Sequence, residues 1–462
     1  MKSFEIASQV KPTERQISWQ NTEYYALVCY GMNTFTQKDI GEGFTGPNTF
    51  FPENIDTDQW AETIKDGAMN GLVLTAKHYD GFCNWPTETT DYSVKSSIWE
   101  NGKGDIVKMA ADSARKAGLK FGLYIPVWDR HEKSFKKSDG SFNKFFLAQL
   151  KELLTSYGDL FMIWLDDRCD ETMAFDFDYA SVYRTIRELQ PDCAITFRGP
   201  DGRWVGNNRG VTRPEEWCVV PASYGFGENG EVLTSQKQKK TTQMELDIGS
   251  RKAVKKETEF IWYPCEVNYP IRSHWFYRKD DDYTVKTKDK LLNIYNRTVG
   301  NNSNLILGLA PDKRGKIADT DIQILKSTGH DLRIIFGYNL LKDGDITASS
   351  SLSGLYKPEN IIADNDSFWC PDKNDKEPYI TIKFHKTEMF DKVILKEHIR
   401  NGQKAEDFTV YIDVKGKWKK FSEGKSIGHK KICSERPVET SAVKIVFEKY
   451  RAPIEISLIQ IN

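Results

Sequence analysis

Leu160-Phe161-Met162-Ile163-Trp164-Leu165-Asp166-Asp167-Arg168 is a short apolar run that stops abruptly on charge. It is too short for an ordinary helix and lacks the alternation of a half-solvated strand, so it reads as a strand buried on both faces, as in a parallel sheet. Six further runs share its texture: Tyr24 to Tyr30, Gly71 to Ala76, Phe121 to Ile125, Ala194 to Phe197, Phe260 to Tyr263 and Leu305 to Leu309. Segments of helical period lie between them, at Thr57 to Met69, Asp105 to Ala117, Lys144 to Tyr157, Phe177 to Leu189, Lys288 to Val299 and Thr320 to Thr328. Strand then helix, repeated over the first two-thirds of the chain, predicts an α/β fold, a (β/α)8-like barrel of the TIM type.

Past about residue 335 the texture changes. YITIKF at 379–384, KVILKE at 392–397, FTVYID at 408–413 and AVKIVFEKY at 442–450 alternate apolar and polar residues, with turn residues between them and no helix-length segment. These predict a C-terminal all-β sandwich. The expected division is a barrel over residues 1–337 and a sandwich over 338–462, joined by a Gly-, Asp- and Ser-rich linker from Phe336 to Ser351.

Composition narrows the function. Of 462 residues, 65 are Lys or Arg and 66 Asp or Glu, a net charge of −1 that leaves no global footprint for nucleic acid or an anionic membrane. The eight cysteines form no C-x-x-C pair and do not cluster with the seven histidines, which argues against a zinc ribbon or a disulfide scaffold. No apolar h-region opens the chain and no stretch reaches the roughly 18 apolar residues of a membrane span. The expectation is a cytoplasmic protein, or a secreted or periplasmic one had a leader been removed.

In a barrel of this kind chemistry sits on the loops that follow the strands. Asp166 ends its strand where a carboxylate is placed for nucleophilic attack, or for capping the next helix or pairing with Arg168. A retaining glycosidase needs a second carboxyl group about 5–5.5 Å away, for which Glu215, Glu216, Glu228 and Glu266 are candidates. His78, after the second run, is suited to bonding a sugar hydroxyl or to a purely structural role. Trp85, Tyr124, Trp128, Trp164, Trp204, Trp262 and Trp275 supply more aromatic surface than one core needs, and some of it suits stacking on sugar C–H faces. Neither Asp364-Asn365-Asp366 nor Lys279 to Asp282 has the spacing of a metal site, and no cofactor or metal is expected.

Taken in order, these stretches resemble the retaining α-L-fucosidases of glycoside hydrolase family 29, in the branch selective for α-1,3/1,4-linked fucose. The resemblance is carried by Tyr30 to Thr36, by Ala76-Lys77-His78-Tyr79-Asp80-Gly81-Phe82-Cys83-Asn84-Trp85-Pro86 and by Asp91 to Val94. It continues through Trp128-Asp129-Arg130, Trp164-Leu165-Asp166, Arg203 to Asn207 and Trp275-Phe276-Tyr277. In the C-terminal part Glu397 to Gln403 and Ser426 to Gly428 resemble a discoidin-like, carbohydrate-binding-type module, and Trp369 is either a binding aromatic or the core tryptophan of that sandwich.

The resemblance implies that Asp166 is the nucleophile and that His78, Tyr124 and Trp275, with Trp85 nearby, hold the sugar of a fucosylated oligosaccharide or glycoconjugate. Other positions depart from the family pattern. The acid/base glutamate is replaced by Asn208, leaving Glu216, or else Glu215, to take its place. A histidine of the first strand becomes Cys29, a Glu-Trp pair becomes Asp39 and Ile40, and the second histidine of a pair becomes Tyr79. Asp167 stands where a glycine usually follows the nucleophile. Two functions are therefore expected: an exo-acting fucosidase, or a catalytically weakened glycan-binding protein on the same fold, with the sandwich either adding contacts or acting only as a stabilising appendage.

Overall fold

The computed structural model describes residues 2–173, 175–231, 233 and 244–462. Eight parallel strands form one sheet: β1 (Tyr24–Val28), β2 (Gly71–Thr75), β3 (Lys120–Pro126), β4 (Met162–Asp166), β5 (Ala194–Phe197), β6 (Arg203–Trp204), β7 (Cys265–Pro270) and β8 (Ser303–Leu309). The order β5-β4-β3-β2-β1-β8-β7-β6 bends the sheet into a nearly closed barrel, with β5 and β6 at the remaining seam. Parity along the strands sorts the side chains. Tyr25, Leu27, Val73, Tyr124, Met162, Trp164 and Ile306 pack together in one cluster. Tyr24, Ala26, Leu72, Leu74, Leu123, Ile163 and Leu165 form the larger cluster shared with the surrounding helices.

Those helices are α1 (Thr57–Asp66), α2 (Ile106–Ala117), α3 (Ser141–Ser156), α4 (Tyr179–Leu189), α5 (Lys288–Thr298) and α6 (Asp319–Gly337). Asp56, Asp105, Asp178 and Thr287 each accept a backbone N–H at a helix start, contributing about 1 kcal/mol apiece.

Two sequence expectations need correction. The Phe260 to Tyr263 run is not a barrel strand: Phe260–Trp262 pairs antiparallel with Val219–Pro221 in a separate ribbon, and the barrel strand is β7, just beyond it. Cys265–Pro270 interposes Glu and Asn among its apolar residues, which hid it from an apolar-run reading. The presumed linker is structured, because α6 runs to Gly337 and the first strand of the second domain is already under way at Gly344.

That second domain holds β9 (Gly344–Ala348), β10 (Tyr379–Glu397), β11 (Ala405–Val414), β12 (Lys417–Gly424), β13 (Lys431–Tyr450) and β14 (Ile456–Ile461), all antiparallel. Register shifts divide the long pair β10–β13 into two halves, one flanked by β9 and β11, the other by β14. Side chains from both halves share one core with Trp369, which is fully buried and donates its indole N–H to the Ser350 carbonyl. Trp369 is thus a core residue and not a binding aromatic.

The two domains are welded at the strand-entry end of the barrel. Ile394 and Ile432 of the second domain belong to the barrel's own apolar cluster. Backbone bonds run from Ile432 to Gly300 and from Asn302 to Lys430. Glu23, at the entry of β1, is ringed by His429, Lys430 and Lys396. Burial alone would raise its carboxyl, but Lys430 and Lys396, with the His429 hydrogen bond, hold it well below the ordinary glutamate range.

Glu216 plays the matching role nearby. It is fully buried, its carboxylate takes Arg203 at 2.7 Å and Arg213 at 3.2 Å, and its carbonyl accepts the Ser426 hydroxyl across the seam. Two predictions follow from the seam. A chain ending at Gly337 exposes the apolar seam and is expected to melt well below the full-length protein, or to aggregate, in a thermal scan. Glu216→Ala leaves two arginines buried without their anion, and a loss of about 3–5 kcal/mol in chemical denaturation is expected, with leaving-group preference unchanged.

Candidate active site

A cavity of about 580 Å³ opens at the carboxyl ends of the barrel strands. Its wall includes Cys29, Asp39, Ile40, His78, Tyr79, Tyr124, Trp164, Asp166, Asp167, Arg168, Trp204, Asn208, Asn268 and Trp275. Asp166 sits at the end of β4, on the same parity as Met162 and Trp164, and is only 5% exposed. The Tyr79 and Tyr124 hydroxyls both donate to its Oδ2, at 2.5 and 2.7 Å, and the Arg168 backbone N–H donates to Oδ1 at 2.8 Å. Burial raises the Asp166 carboxyl and these donors oppose the rise. With two donors on Oδ2 and one on Oδ1, Oδ1 keeps a lone pair for another partner.

His78 stacks on Tyr124, with ring centroids 5.6 Å apart, and meets the edge of Phe276. Asn33 Nδ2 bonds both the Asp39 carbonyl and His78 Nδ1, so that nitrogen is the amide donor and Nδ1 the acceptor. Burial pushes the imidazole down to about 3, and the neutral ring therefore carries its proton on Nε2.

Asp39 binds the loop after β7: it takes His274 Nδ1 at 2.8 Å, the Trp275 N–H at 3.1 Å and Arg278 at 3.3 Å. It positions Trp275, whose ring lies against β8 at Gly308, where a Cβ would fall 2.5 Å from the indole. A second brace joins the loops after β2 and β3. Lys77 and Asp129 pair at 2.8 Å with both side chains buried, and Gly81, at φ +85°, lets the chain pass where a Cβ would lie 2.4 Å from the Asp129 carboxylate.

The structure brings together Asp166, His78, Tyr79, Tyr124, Cys29, Asp39, Trp275 and Asn208, all on one cavity wall. It does not bring the proposed acid/base glutamates there. Glu216 is locked between Arg203 and Arg213, and Glu215 pairs with Lys431 at 2.9 Å. Glu228 pairs with Arg15 and Arg187. Glu266 lies inside the barrel, accepts the Tyr25 hydroxyl at 3.0 Å and is pushed up to about 7 by burial. Trp85 is also off the wall, buried with its indole N–H on Glu152.

The acidic runs weighed as cation sites are held by basic side chains: Asp364 by Lys396, Asp366 by Arg400, and Asp281 and Asp282 by Arg272. Arg168, Asn268 and Phe197 line the cavity without having been singled out. Arg168 adjoins Asp166 in sequence, but no local pattern marks Asn268, whose Oδ1 accepts the Trp204 indole N–H at 2.8 Å. Among the described residues no helix is long and apolar enough to cross a membrane.

The comparisons with known proteins agree with this geometry. The α-L-fucosidase family profile matches residues 6–335, and that of the F5/8 type C domain matches residues 345–460. Alpha-L-fucosidase 1 of Arabidopsis thaliana is 32% identical over 457 residues, spanning 96% of this chain and 86% of its own. A Ruminococcus gnavus GH29 fucosidase, solved in complex with fucose, superposes with a TM-score of 0.86 at 26% identity, over 98% of this chain and 95% of that one. A glycoside hydrolase 29 family member from an unknown rumen bacterium gives 0.81 at 29% identity, over 98% and 77%. With a barrel mouth of this construction and a family match over most of its length, the chain belongs to the α-L-fucosidase family and is a glycoside hydrolase.

Proposed function

We propose that the protein is a retaining, exo-acting α-L-fucosidase that removes terminal α-1,3/1,4-linked fucosyl residues, or a closely related L-sugar, from an oligosaccharide or glycoconjugate. The observation that carries this reading is Asp166, buried on the cavity wall with Oδ2 held by two tyrosines while Oδ1 accepts a single backbone N–H and keeps a lone pair. Oδ1 attacks C1 of the sugar, the bond to the leaving oxygen breaks, and a glycosyl ester of Asp166 forms, which water then hydrolyses. Tyr79 and Tyr124 keep the carboxylate oriented and ionised, which favours its departure in the second step. His78 offers Nε2–H to a sugar hydroxyl, and Trp275 supplies a ring face for the apolar side of the sugar. Cys29 and Ile40 give that subsite an apolar border.

One observation favours the second reading, a glycan-binding protein with weak turnover: the family's acid/base position is Asn208, and neither Glu215 nor Glu216 reaches the cavity. Calorimetric titration with α-1,3/1,4-fucosylated trisaccharides, followed by assay for free fucose, separates the two. Binding without release over a day supports the weakened protein.

Asp166→Ala is expected to lower release of aryl fucoside aglycones by about 10⁴-fold or more, and normal turnover by this variant refutes the nucleophile assignment. The pH profile provides a second check. Asp166 must be ionised to attack, so activity falls as pH drops through its pKa. Tyr79→Phe removes a donor that holds that pKa down, and the acid limb of kcat/KM is expected to move to higher pH by about one unit.

A further inference from the structure

We propose that Asp167 is the acid/base partner of Asp166, performing the proton transfers that the amide of Asn208 cannot; this rests on the retaining reading above. Three carboxylates stand among the described residues of the cavity wall: Asp39, Asp166 and Asp167. Residues 1, 174, 232 and 234–243 contain no Asp or Glu, so none of them supplies a fourth. Asp39 is committed to His274, Arg278 and the backbone of the Trp275 loop, and Asp166 to Tyr79 and Tyr124. Asp167 alone keeps carboxyl capacity for the leaving oxygen.

Its placement suits the task. Asp166 is held from the side of β2 and β3, through Tyr79 and Tyr124. Asp167 leans the other way, its Oδ2 lying 3.5 Å from Arg198 Nε in the short β5–β6 connection. That is the side of the cavity where Trp204 and Asn208 stand. The consecutive carboxyls are thus held from different sides, Asp166 by Tyr79 and Tyr124 and Asp167 toward Arg198, and both line the cavity. The Arg198 guanidinium is itself drawn away, lying over the rings of Tyr179 and Phe226. Burial raises the Asp167 carboxyl, Arg198 opposes the rise and the Asp166 charge adds to it, which biases the group toward its protonated form.

In the first step Asp166 Oδ1 bonds to C1, the C1–O bond breaks, and its electron pair takes the Asp167 proton as the alcohol leaves. In the second step the Asp167 carboxylate takes a proton from water, whose oxygen bonds to C1 while the ester bond to Oδ1 breaks. Atoms and charge balance without a co-reactant.

The test compares Asp167→Asn with the wild type on 2,4-dinitrophenyl α-L-fucoside, whose leaving group needs no proton, and on a fucosylated trisaccharide. The expected result is a loss of about 10²–10⁴-fold on the trisaccharide, a retained burst of dinitrophenolate, and acceleration by azide with α-L-fucosyl azide as product. Equal treatment of both substrates, with no azide effect and an unchanged alkaline limb, overturns the proposal. Trapping with 2-deoxy-2-fluoro-α-L-fucosyl fluoride tells that failure from failure of the retaining reading, since the label reaches Asp166 in the variant only if the nucleophile is right and the site is folded. If Asp167→Asn does not fold, Asp167→Glu decides: a shifted alkaline limb on the trisaccharide supports the role, and an unshifted limb refutes it.

Discussion

A carboxylate sealed into the mouth of a closed barrel must be given donors or surrender its charge, and the upper half of this molecule is organised around that constraint. Asp166 receives two phenols and one backbone N–H, each from a different loop or strand end. Each donor in turn is fixed by packing. Tyr124 is stacked by His78, and Tyr79 lies against Trp128 with ring centroids 5.2 Å apart. The Lys77–Asp129 pair then ties together the loops that carry them. Removing water from the mouth strengthens all of these interactions at once.

The strand-entry end follows the same physics for a different purpose. Glu23 and Glu216 are buried charges with two cationic partners each, Lys396 and Lys430 for the first and Arg203 and Arg213 for the second, and both lie at the junction with the second domain. Buried ion pairs are weak evidence of net stability, because desolvation offsets most of their attraction, but a mismatched partner is costly. At this junction β13 enters beside the start of β8 and Ile432 fills the barrel's cluster, so a shift of one domain on the other would leave these charges unpaired. The second domain is thereby part of the barrel's foundation.

What the sequence made legible was whatever rests on long apolar runs. Strands β1 to β5 and β8 and all six helices were readable because two-sided burial demands unbroken apolar residues and amphipathic helices demand a period. β6 was not, since two residues carry no periodicity, and β7 was not, because an interior Glu266 and Asn268 interrupt its run. At the site, Asp166 and His78 were visible from their position at strand ends. The exclusion of Glu215 and Glu216 was invisible: nothing in Arg-Pro-Glu-Glu-Trp announces that Lys431 and Arg203 converge on it from other segments to join the neighbouring Arg213. Trp85 failed for a similar reason, its partner Glu152 lying on α3.

The departures from the family pattern are coupled. The resemblance places an imidazole at position 79, where this chain has a phenol, and that hydroxyl is bonded to the Asp166 carboxylate at 2.5 Å. A donor of this kind is no longer free for a sugar hydroxyl. Thr75 is likewise committed, to the carbonyls of Val28 and Tyr30, and Asn268 Oδ1 to Trp204. With Cys29 and Ile40 adding no strong donor, the proposed reading leaves polar recognition to His78 Nε2–H together with Arg168 and Asn208 on the same wall. A site that bonds few hydroxyls discriminates weakly against sugars that lack or reorient them, because little is left unpaired when the wrong one binds. On the proposed reading much of the selectivity falls to shape, set by the rings of Trp164, Trp204 and Trp275 on the cavity wall, while the Tyr79 hydroxyl is directed at the Asp166 carboxylate.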